Sequence, residues 1–331
     1  MDLGPDTHDG CSALAEDLAT DAGTDVEAGP RSLRAGLLFG LAVLWLAAEL
    51  WSAGASLAAN SDLTVIVSTL VLALPAVLGA CLLTGAAAGL AASQLAGTRA
   101  AGRLGPLGRY LTAGAARTGR PAVIHRLIVG GGAGLLVGLV VGGLVLAIFG
   151  ATSAFVVLGL TLAATGLLGG AATALPPPPF AAGIAAALAV FASAVVLSLF
   201  QNPLRTALGG GSTPDSQISA GGWLALTFAV AQGVVAGLTA YAFLRRRGHG
   251  QAWPWYLLAG AIPGLLELAT VVVAKVGGAG LIRLASGFSE LDAFSLSYVT
   301  QGYLTGALIV TFVGGIAAMI AVGRTMGRSG Q

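Results

Sequence analysis

Long apolar stretches alternate with short polar clusters along this chain, and the apolar stretches have the length of membrane-spanning helices. The clearest case lies between Arg126 and Arg205, where 78 consecutive residues include no Asp, Glu, Lys, Arg or His. A bilayer span needs about 20 apolar residues to cross roughly 30 Å of hydrocarbon. Residues 150–153 (Gly-Ala-Thr-Ser) and the four prolines at 176–179 interrupt this stretch. The pattern therefore predicts three spans between the two arginines.

The same test of length and polarity finds five further spans. The predicted fold is all-α, a polytopic transmembrane helix bundle of about eight spans. Composition agrees, because 56% of the residues are hydrophobic and 9% are charged, whereas soluble domains are about 25% charged. The predicted spans are residues 35–57, 63–85, 127–149, 154–175, 180–201, 223–243, 255–273 and 303–322.

Basic residues fall almost entirely into alternate loops of this topology. Cytoplasmic loops of membrane proteins carry an excess of Lys and Arg. With the N-terminus in the cytoplasm, 13 of the 16 basic residues lie inside, and only Arg205, Lys275 and Arg283 lie outside. We therefore expect a multi-pass protein of the cell membrane with both termini inside. The 13 inside residues are Arg31, Arg34, Arg99, Arg103, Arg109, Arg117, Arg120, Arg126, Arg245, Arg246, Arg247, Arg324 and Arg328.

The first 30 residues differ from the rest of the chain. They carry eight acidic residues and no basic one, and they have no sustained apolar stripe. Low hydrophobicity with high net charge is typical of disordered segments. Residues 1–30 are thus expected to form a disordered acidic cytoplasmic tail, and residues 31–331 the transmembrane helical domain. The tail is either a solvated extension or a docking segment for a basic partner.

Glycines follow one face of the third predicted span. Gly130, Gly134, Gly138 and Gly142 recur every four residues and form overlapping G-x-x-x-G motifs. Without Cβ atoms, two helix backbones approach closely and gain dispersion contacts. The glycines therefore predict a helix-packing seam inside the bundle, with Gly166 and Gly170 of the fourth span as a partner surface. A contact between two copies of the chain is the alternative.

Two acidic residues, Glu49 and Glu267, fall inside predicted spans. A carboxylate at the bilayer centre costs about 2.5–3.5 kcal/mol on insertion scales, so such residues face the bundle or a wet cavity. Counting from the cytoplasmic ends at about 1.5 Å per residue puts both at roughly 18–21 Å depth. Two carboxyls at one level can share a proton or bind a cation. The alternative is that each reaches the outer water or Lys275.

Gln232, near the middle of the sixth span, completes the candidate intramembrane polar site. Two spans contain a proline, Pro75 in the second and Pro263 in the seventh. Pro263 lies one turn before Glu267 and frees a backbone carbonyl, as in the broken helices that line transporter sites. A purely structural kink is the alternative.

Apolar residues between Leu281 and Phe294 recur every three or four positions, which predicts a separate amphipathic helix on the outer interface. His8, His125 and His249 all fall in segments expected to be aqueous. The chain contains no P-loop, no G-x-S-x-G, no H-E-x-x-H and no Cys/His spacing typical of zinc sites. We therefore expect no enzyme activity, no cofactor and no catalytic or metal-binding residue.

In its Ala/Gly/Leu-rich composition and span layout over residues 31–331, the chain resembles uncharacterised multi-pass proteins of high-GC actinobacteria, including the streptophobe type. The resemblance implies a plasma-membrane location and no particular activity. The first functional hypothesis is a transporter or permease without its own energy source. The second is a scaffold or accessory subunit that packs through glycine-rich faces. Expected partners are the lipid bilayer and other membrane proteins or an ATPase subunit, but no nucleic acid.

Overall fold

The computed structural model describes residues 29–58, 63–95, 120–150, 152–211, 213–246, 252–284 and 290–326. Regular structure in these ranges is helical, without strands. The helices are α1 (Gly29–Ala58), α2 (Leu63–Leu95), α3 (Arg120–Phe149), α4 (Ser153–Ala171), α5 (Pro177–Leu199), the short α6 (Gln201–Ala207), α7 (Pro214–Arg245), α8 (Trp253–Leu284) and α9 (Glu290–Met326).

All of these helices except α6 are long and apolar enough to cross a membrane. The prediction of an all-α polytopic bundle is therefore confirmed, and the protein is a multi-pass membrane protein. Successive spans alternate in direction, so α1, α3, α5 and α8 begin at the same end of the bundle. Arg126, Arg246 and Arg324 lie at that end, which we call the basic end.

Local sequence signals explain where several helices begin and end. Gly150 adopts φ +85° and terminates α3, a conformation that glycine reaches without steric cost. The proline run starts α5, where a missing amide hydrogen is harmless in the first turn. Thr213 caps α7 by accepting a hydrogen bond from the Ser216 amide at 3.4 Å. Both interruptions that the sequence predicted between Arg126 and Arg205 are present.

Three helices, α2, α3 and α4, pack against one another and form what we call the first trio. The predicted glycine ridge of α3 lies against α4 along its whole length. A Cβ atom on Gly138 would lie 2.5 Å from the Leu162 carbonyl oxygen, and one on Gly142 would lie 2.8 Å from that of Gly159. Because real Cβ atoms do not come so close to backbone, the α3–α4 seam requires glycine at these positions.

The ridge continues at Gly134 and Gly130, which face Gly166, Gly170 and Thr173 of α4 and the following turn. Glycines of α2 close the third side of the trio. A Cβ on Gly85 would lie 2.5 Å from the Gly166 carbonyl oxygen. The seam lies within one chain, between α3 and α4, and Gly166 and Gly170 are its partner surface, with α2 added as a third member.

A second trio consists of α7, α8 and α9, which also contact one another on all sides. A Cβ on Gly237 of α7 would lie 2.5 Å from the Gly314 carbonyl oxygen of α9. A Cβ on Gly264 of α8 would lie 2.6 Å from the Ala307 carbonyl oxygen of α9. Close approach of backbones thus recurs in the second half of the chain, where the sequence analysis did not identify it.

Contacts between the trios are of a different kind. Helix α8 touches α2 and α4 of the first trio, while α5 lies against α7 and α8. A Cβ on Gly79 of α2 would lie 3.7 Å from the Thr270 hydroxyl of α8, an ordinary van der Waals distance. The three atoms nearest a Cβ on Gly277 all belong to the Thr161 side chain, the nearest at 2.7 Å. At these two positions side chains lie nearest across the boundary, whereas backbones meet within each trio.

The structure changes several boundaries. Helix α2 continues ten residues beyond its predicted end at 85, and α7, α8 and α9 each exceed the predicted spans at both ends. The predicted separate interfacial helix is wrong, because residues 281–284 continue α8 and residues 290–294 begin α9. Apart from Gly29 and Pro30, the predicted acidic tail lies outside the described residues, as does most of the Arg-rich loop at 96–126.

Candidate functional site

Glu267 lines a cavity at the boundary between the two trios. The cavity has a volume of about 20 Å³, room for about one water molecule, and we call it the carboxylate cavity. Apart from Glu267 and the Thr270 hydroxyl, its walls are apolar. The Thr270 hydroxyl is occupied, since it donates to the Leu266 carbonyl at 2.9 Å. The walls include Gly79 and Leu83 of α2, Ala187 and Phe191 of α5, and Pro263 and Glu267 of α8.

Glu49 approaches the same region from α1. One turn before it, the Trp45 ring stacks on Phe191 with centroids 5.1 Å apart and planes inclined by 28°. Residues four apart share a helix face, so Glu49 lies on the side of α1 that turns toward α5. The indole N–H of Trp45 is buried and has no hydrogen-bond partner among the described residues. Trp45 and Glu49 thus lie one helical turn apart on the side of α1 that faces α5, although neither residue lines the cavity.

Tyr303 of α9 connects the two glutamates electrostatically. Both the Glu49 and the Glu267 carboxylates are close enough to act on the Tyr303 hydroxyl. These three ionisable groups come from α1, α8 and α9, which are far apart in sequence. Tyr303 therefore lies within electrostatic range of both glutamates.

The two glutamates are staggered along the membrane normal. The Thr84 hydroxyl donates to the Ala42 carbonyl at 3.0 Å, which places Glu49, seven residues further along α1, near residue 77 of α2. Glu267 instead lines the cavity beside residues 79 and 83 of α2. At about 1.5 Å per residue, Glu49 lies roughly one helical turn farther from the basic end. Counting from the predicted span edges had placed the two at one depth.

Neither carboxylate has a counter-charge in the described part of the chain. No described side chain donates a hydrogen bond to Glu49 or Glu267, and neither forms an ion pair with Lys275. Lys275 is exposed two turns beyond Glu267 on α8. A carboxylate among apolar walls without an internal partner is available to bind a proton, water or a cation.

Of the other residues considered for the polar site, Gln232 lies away from the carboxylate cavity and Pro263 lines it. Gln232 is half-buried on α7, a helix that contributes no residue to the carboxylate cavity. The structure does not bring Gln232 to this cavity. Pro263 does line it, one turn before Glu267, but α8 remains a continuous helix through the proline. The predicted helix break is therefore absent, although a proline cannot donate the usual hydrogen bond to the carbonyl four residues earlier.

The prediction that His125 lies in an aqueous segment is wrong. It lies inside α3 and within the candidate span Val123–Phe149, and its exposed fraction is only 8%. The six arginines around it suggested an aqueous loop, whereas the helix begins at Arg120 and carries His125 into the bundle. Within the described residues, no three His, Cys, Asp or Glu side chains group together as metal ligands would.

A second cavity lies among α1, α2, α3 and α4, in the half of the bundle away from the basic end. It has a volume of about 40 Å³ and is partly open to the surroundings, and we call it the apolar cavity. Every residue in its wall is apolar. Phe149 and Phe155, which stack with centroids 5.2 Å apart, form one side. Leu50, Ala53 and Gly54 of α1 form another.

Sequence reasoning missed Tyr303, Phe191 and the α2 wall of the carboxylate cavity. Tyr303 lies at the first residue of a predicted span, where an aromatic ring is typical of a membrane interface. Phe191 is one apolar residue among many in α5. Tyr303 lies farther outward than Glu267 on the next span. This position indicates a contact between the two residues only once α8 and α9 are known to pack together, and it is the only sequence signal for Tyr303.

Comparison of the chain with family models, with curated proteins and with solved structures finds no match.

Proposed function

We propose that this protein is a secondary transporter of the cell membrane, without its own energy source, in which Glu49 and Glu267 bind the coupling proton or a cation. The observation that supports this most directly is the position of Glu267. Glu267 lines a cavity between two glycine-packed helix trios, and Tyr303 lies within electrostatic range of both Glu267 and Glu49. Membrane-embedded carboxylates in such cavities are typical of ion and substrate pathways.

The packing around the cavity favours movement of one trio against the other. Backbones interlock within each trio, so each resists deformation, because packed interfaces change in discrete steps and not continuously. At Gly79 and Gly277, side chains lie nearest across the boundary. Rocking of the trios would expose the carboxylate cavity first to one face of the membrane and then to the other, which is the alternating access that transport requires.

A second candidate function is a scaffold or accessory subunit, and α1 gives the observation that favours it. Gly36 and Gly40 lie one turn apart on α1, and a Cβ at either would meet nothing within 4 Å. Of the eight candidate spans, α1 is the least buried, with 17% of its window inside the bundle. Such a face suits another membrane helix, from an accessory protein or an ATPase subunit.

Cysteine accessibility distinguishes the two functions without knowledge of the substrate. Ala187 is buried and lines the carboxylate cavity, so Ala187→Cys is placed in a chain lacking Cys11 and Cys81. A membrane-impermeant trimethylammonium methanethiosulfonate is applied from each side of oriented proteoliposomes. We expect Ala187→Cys to react from both sides, and Glu267→Gln to change the ratio of the two rates. Absence of reaction, or reaction from one side with a ratio that Glu267→Gln leaves unchanged, would overturn transport.

Three controls fix the interpretation of this labelling. Ala182→Cys lies on the same helix, is buried and does not line the cavity, so it should remain unreactive. Arg246→Cys should react only from the cytoplasmic side and Asp215→Cys only from outside. That pair also tests the proposed orientation with both termini inside, which external reaction of Arg246→Cys would contradict.

A further inference from the structure

We infer that the ends of α7 and α9 bind an anionic phospholipid, whose phosphate lies at Arg245, Arg246 and Arg324. This inference is independent of the proposed function. Helices α7 and α9 pack against each other, run in the same direction and both end at the basic end. Their last turns therefore bring the three arginines to one side of the membrane, and all three side chains are exposed.

A chain of hydrogen bonds orients Arg245. Its guanidinium donates to the Tyr241 hydroxyl, one turn earlier on α7, and lies over the Tyr241 ring at 5.7 Å from the centroid. The Tyr241 hydroxyl donates to the Thr325 hydroxyl of α9 at 3.2 Å. Thr325 in turn donates to the Val322 carbonyl of its own helix at 2.8 Å. Each hydroxyl thus both accepts and donates, and the guanidinium is held between α7 and α9.

The arginines retain donors for a ligand. A guanidinium has several N–H donors in a planar fork that matches the oxygens of a phosphate. Among the described residues, Tyr241 is the only hydrogen-bond acceptor of Arg245, and Arg246 and Arg324 form no hydrogen bond or ion pair with described side chains. The positive charge is therefore available to an external anion. The acidic residues of α7 and α9 lie at the opposite end of the bundle: Asp215, Glu290 and Asp292.

Aromatic residues next to Arg245 indicate that it lies at the level of the lipid headgroups. Tyr and Trp are enriched where a membrane meets water. The Tyr241 ring lies beside that of Tyr256 in the first turn of α8, with centroids 6.1 Å apart. Trp253, the first residue of α8, is 58% exposed. Because Arg245 follows Tyr241 by one turn toward the basic end, its guanidinium lies where lipid phosphates are found.

Exposed apolar surface leads along each helix to these arginines. Leu238 precedes Arg245 by two turns on the same face of α7 and is 52% exposed. Ile320 precedes Arg324 by one turn on α9 and is 55% exposed. A phosphate joined to hydrocarbon chains uses the arginines and these faces together, whereas a free phosphate uses the arginines alone. The arrangement therefore favours a phospholipid, and the clustered positive charge favours an anionic one.

Native mass spectrometry of the full-length protein in detergent tests the inference, by titration with phosphatidylglycerol or with zwitterionic phosphatidylcholine. We expect phosphatidylglycerol to bind with about tenfold higher affinity. A basic-end variant should lose this preference, and it combines Arg245→Gln, Arg246→Gln and Arg324→Gln. An outer-end variant removes the same amount of charge at the opposite end and should keep the preference; it combines Arg205→Gln, Lys275→Gln and Arg283→Gln.

Tyr241→Phe tests the positioning of Arg245, because it removes the hydroxyl that orients the guanidinium and keeps the ring. We expect the affinity for phosphatidylglycerol to fall about threefold and the affinity for phosphatidylcholine to stay unchanged. A hydroxyl that only holds α7 against α9 would affect the two lipids equally, and an equal change in both affinities would contradict the positioning role.

Competition distinguishes a lipid site from a site for free anions. Inorganic phosphate, and glycerophosphoglycerol, which is the same headgroup without acyl chains, should not displace phosphatidylglycerol at equal concentration. Displacement by either compound would mean that the site binds free anions, and the inference would be wrong.

Two further results would overturn the inference. Equal affinity for the two lipids, or an unchanged preference in the basic-end variant, would mean that the arginines act only on topology and on the helix dipoles. A preference that appears only when the eight acidic residues of the N-terminal segment are replaced by their amides would mean that this segment, and not a lipid, occupies the arginines.

Discussion

The two trios use the same device, close approach of helices at glycine, with different partners. In the first trio, glycine faces glycine, as in the seam where Gly142 meets Gly159 and Gly134 meets Gly166 and Gly170. In the second trio, Gly237 and Gly260 also face the backbone of Gly314, while Gly233 and Gly264 meet side-chain atoms of Val313 and Thr311 as well as backbone. The second trio therefore packs its glycines against both backbone and side chains.

The difference coincides with the distribution of ionisable groups. Glu267 and Tyr303 belong to helices of the second trio and lie at its boundary with the first. In the first trio, the Thr84 and Thr173 hydroxyls donate to backbone carbonyls, and neither cavity-facing carboxylate comes from it. The comparison indicates a rigid first trio and a second trio that combines rigidity with the polar chemistry.

The largest effect is expected from Gly134→Leu. A Cβ at this position would lie 2.8 Å from the Gly170 Cα and closer still to the Gly166 carbonyl oxygen, so α3 and α4 would have to separate. Overpacking of a close-packed interior costs about 1–3 kcal/mol or more, and we expect a fall in melting temperature of about 10 °C or loss of monodisperse protein. Thermal unfolding of the detergent-solubilised protein measures this.

Gly132→Leu is the control for that variant, because it lies on the same helix and a Cβ there meets nothing within 4 Å. Its melting temperature should equal that of the wild type. If Gly134→Leu and Gly132→Leu had equal melting temperatures, the ridge would not hold α3 against α4. The description of the first trio as a rigid body would then be wrong.

An intermediate effect is expected when alanine replaces glycine in each trio. A Cβ on Gly233 would lie 2.7 Å from the Val313 Cβ, which side-chain rotation cannot move, and 3.3 Å from the Gly314 nitrogen. The three atoms nearest a Cβ on Gly134 are all backbone, with the Gly170 Cα and nitrogen both at 2.8 Å. Both variants should lower the melting temperature, and Gly134→Ala should lower it more. Equal losses in the two variants would remove the distinction between the trios.

The sequence predicted the helices and the ridge well, because both depend on local pattern. An uncharged stretch of 78 residues has to lie in lipid, and glycines four apart have to share a face. The glycines of α2 were not predicted as members of the seam. Spacing identifies a face of a helix but not the neighbour toward which that face turns.

The candidate site was predicted only in part, for the same reason. Glu49 and Glu267 stand out as charges within spans. Tyr303 can be recognised as a neighbour of Glu267 only when α9 is known to pack beside α8. The cavities exist only between packed helices, so the sequence could not predict them. The prediction for His125 is wrong because the surrounding arginines indicated an aqueous loop, whereas the helix has already begun at Arg120.

The smallest effect on stability is expected for Glu267→Gln. No described partner is lost when this carboxylate becomes an amide of the same shape, so the melting temperature should change by about 2 °C or less. Gly264→Leu, one turn away on α8, is the contrasting variant, because a Cβ there would lie 2.6 Å from the Ala307 carbonyl oxygen. If Glu267→Gln destabilised the protein as strongly as Gly264→Leu, the carboxylate would have a structural role and the transport proposal would lose its main support.

Distance distributions between paired spin labels test the two-body account most directly. Cysteines replace lipid-exposed residues: Leu127 and Leu160 within the first trio, Leu226 and Ile320 within the second, and Leu139 and Phe312 across the boundary. We expect one narrow distance within each trio, and across the boundary two distances whose populations Glu267→Gln shifts. A single narrow distance across the boundary, unchanged by Glu267→Gln, would contradict the account and favour a static scaffold.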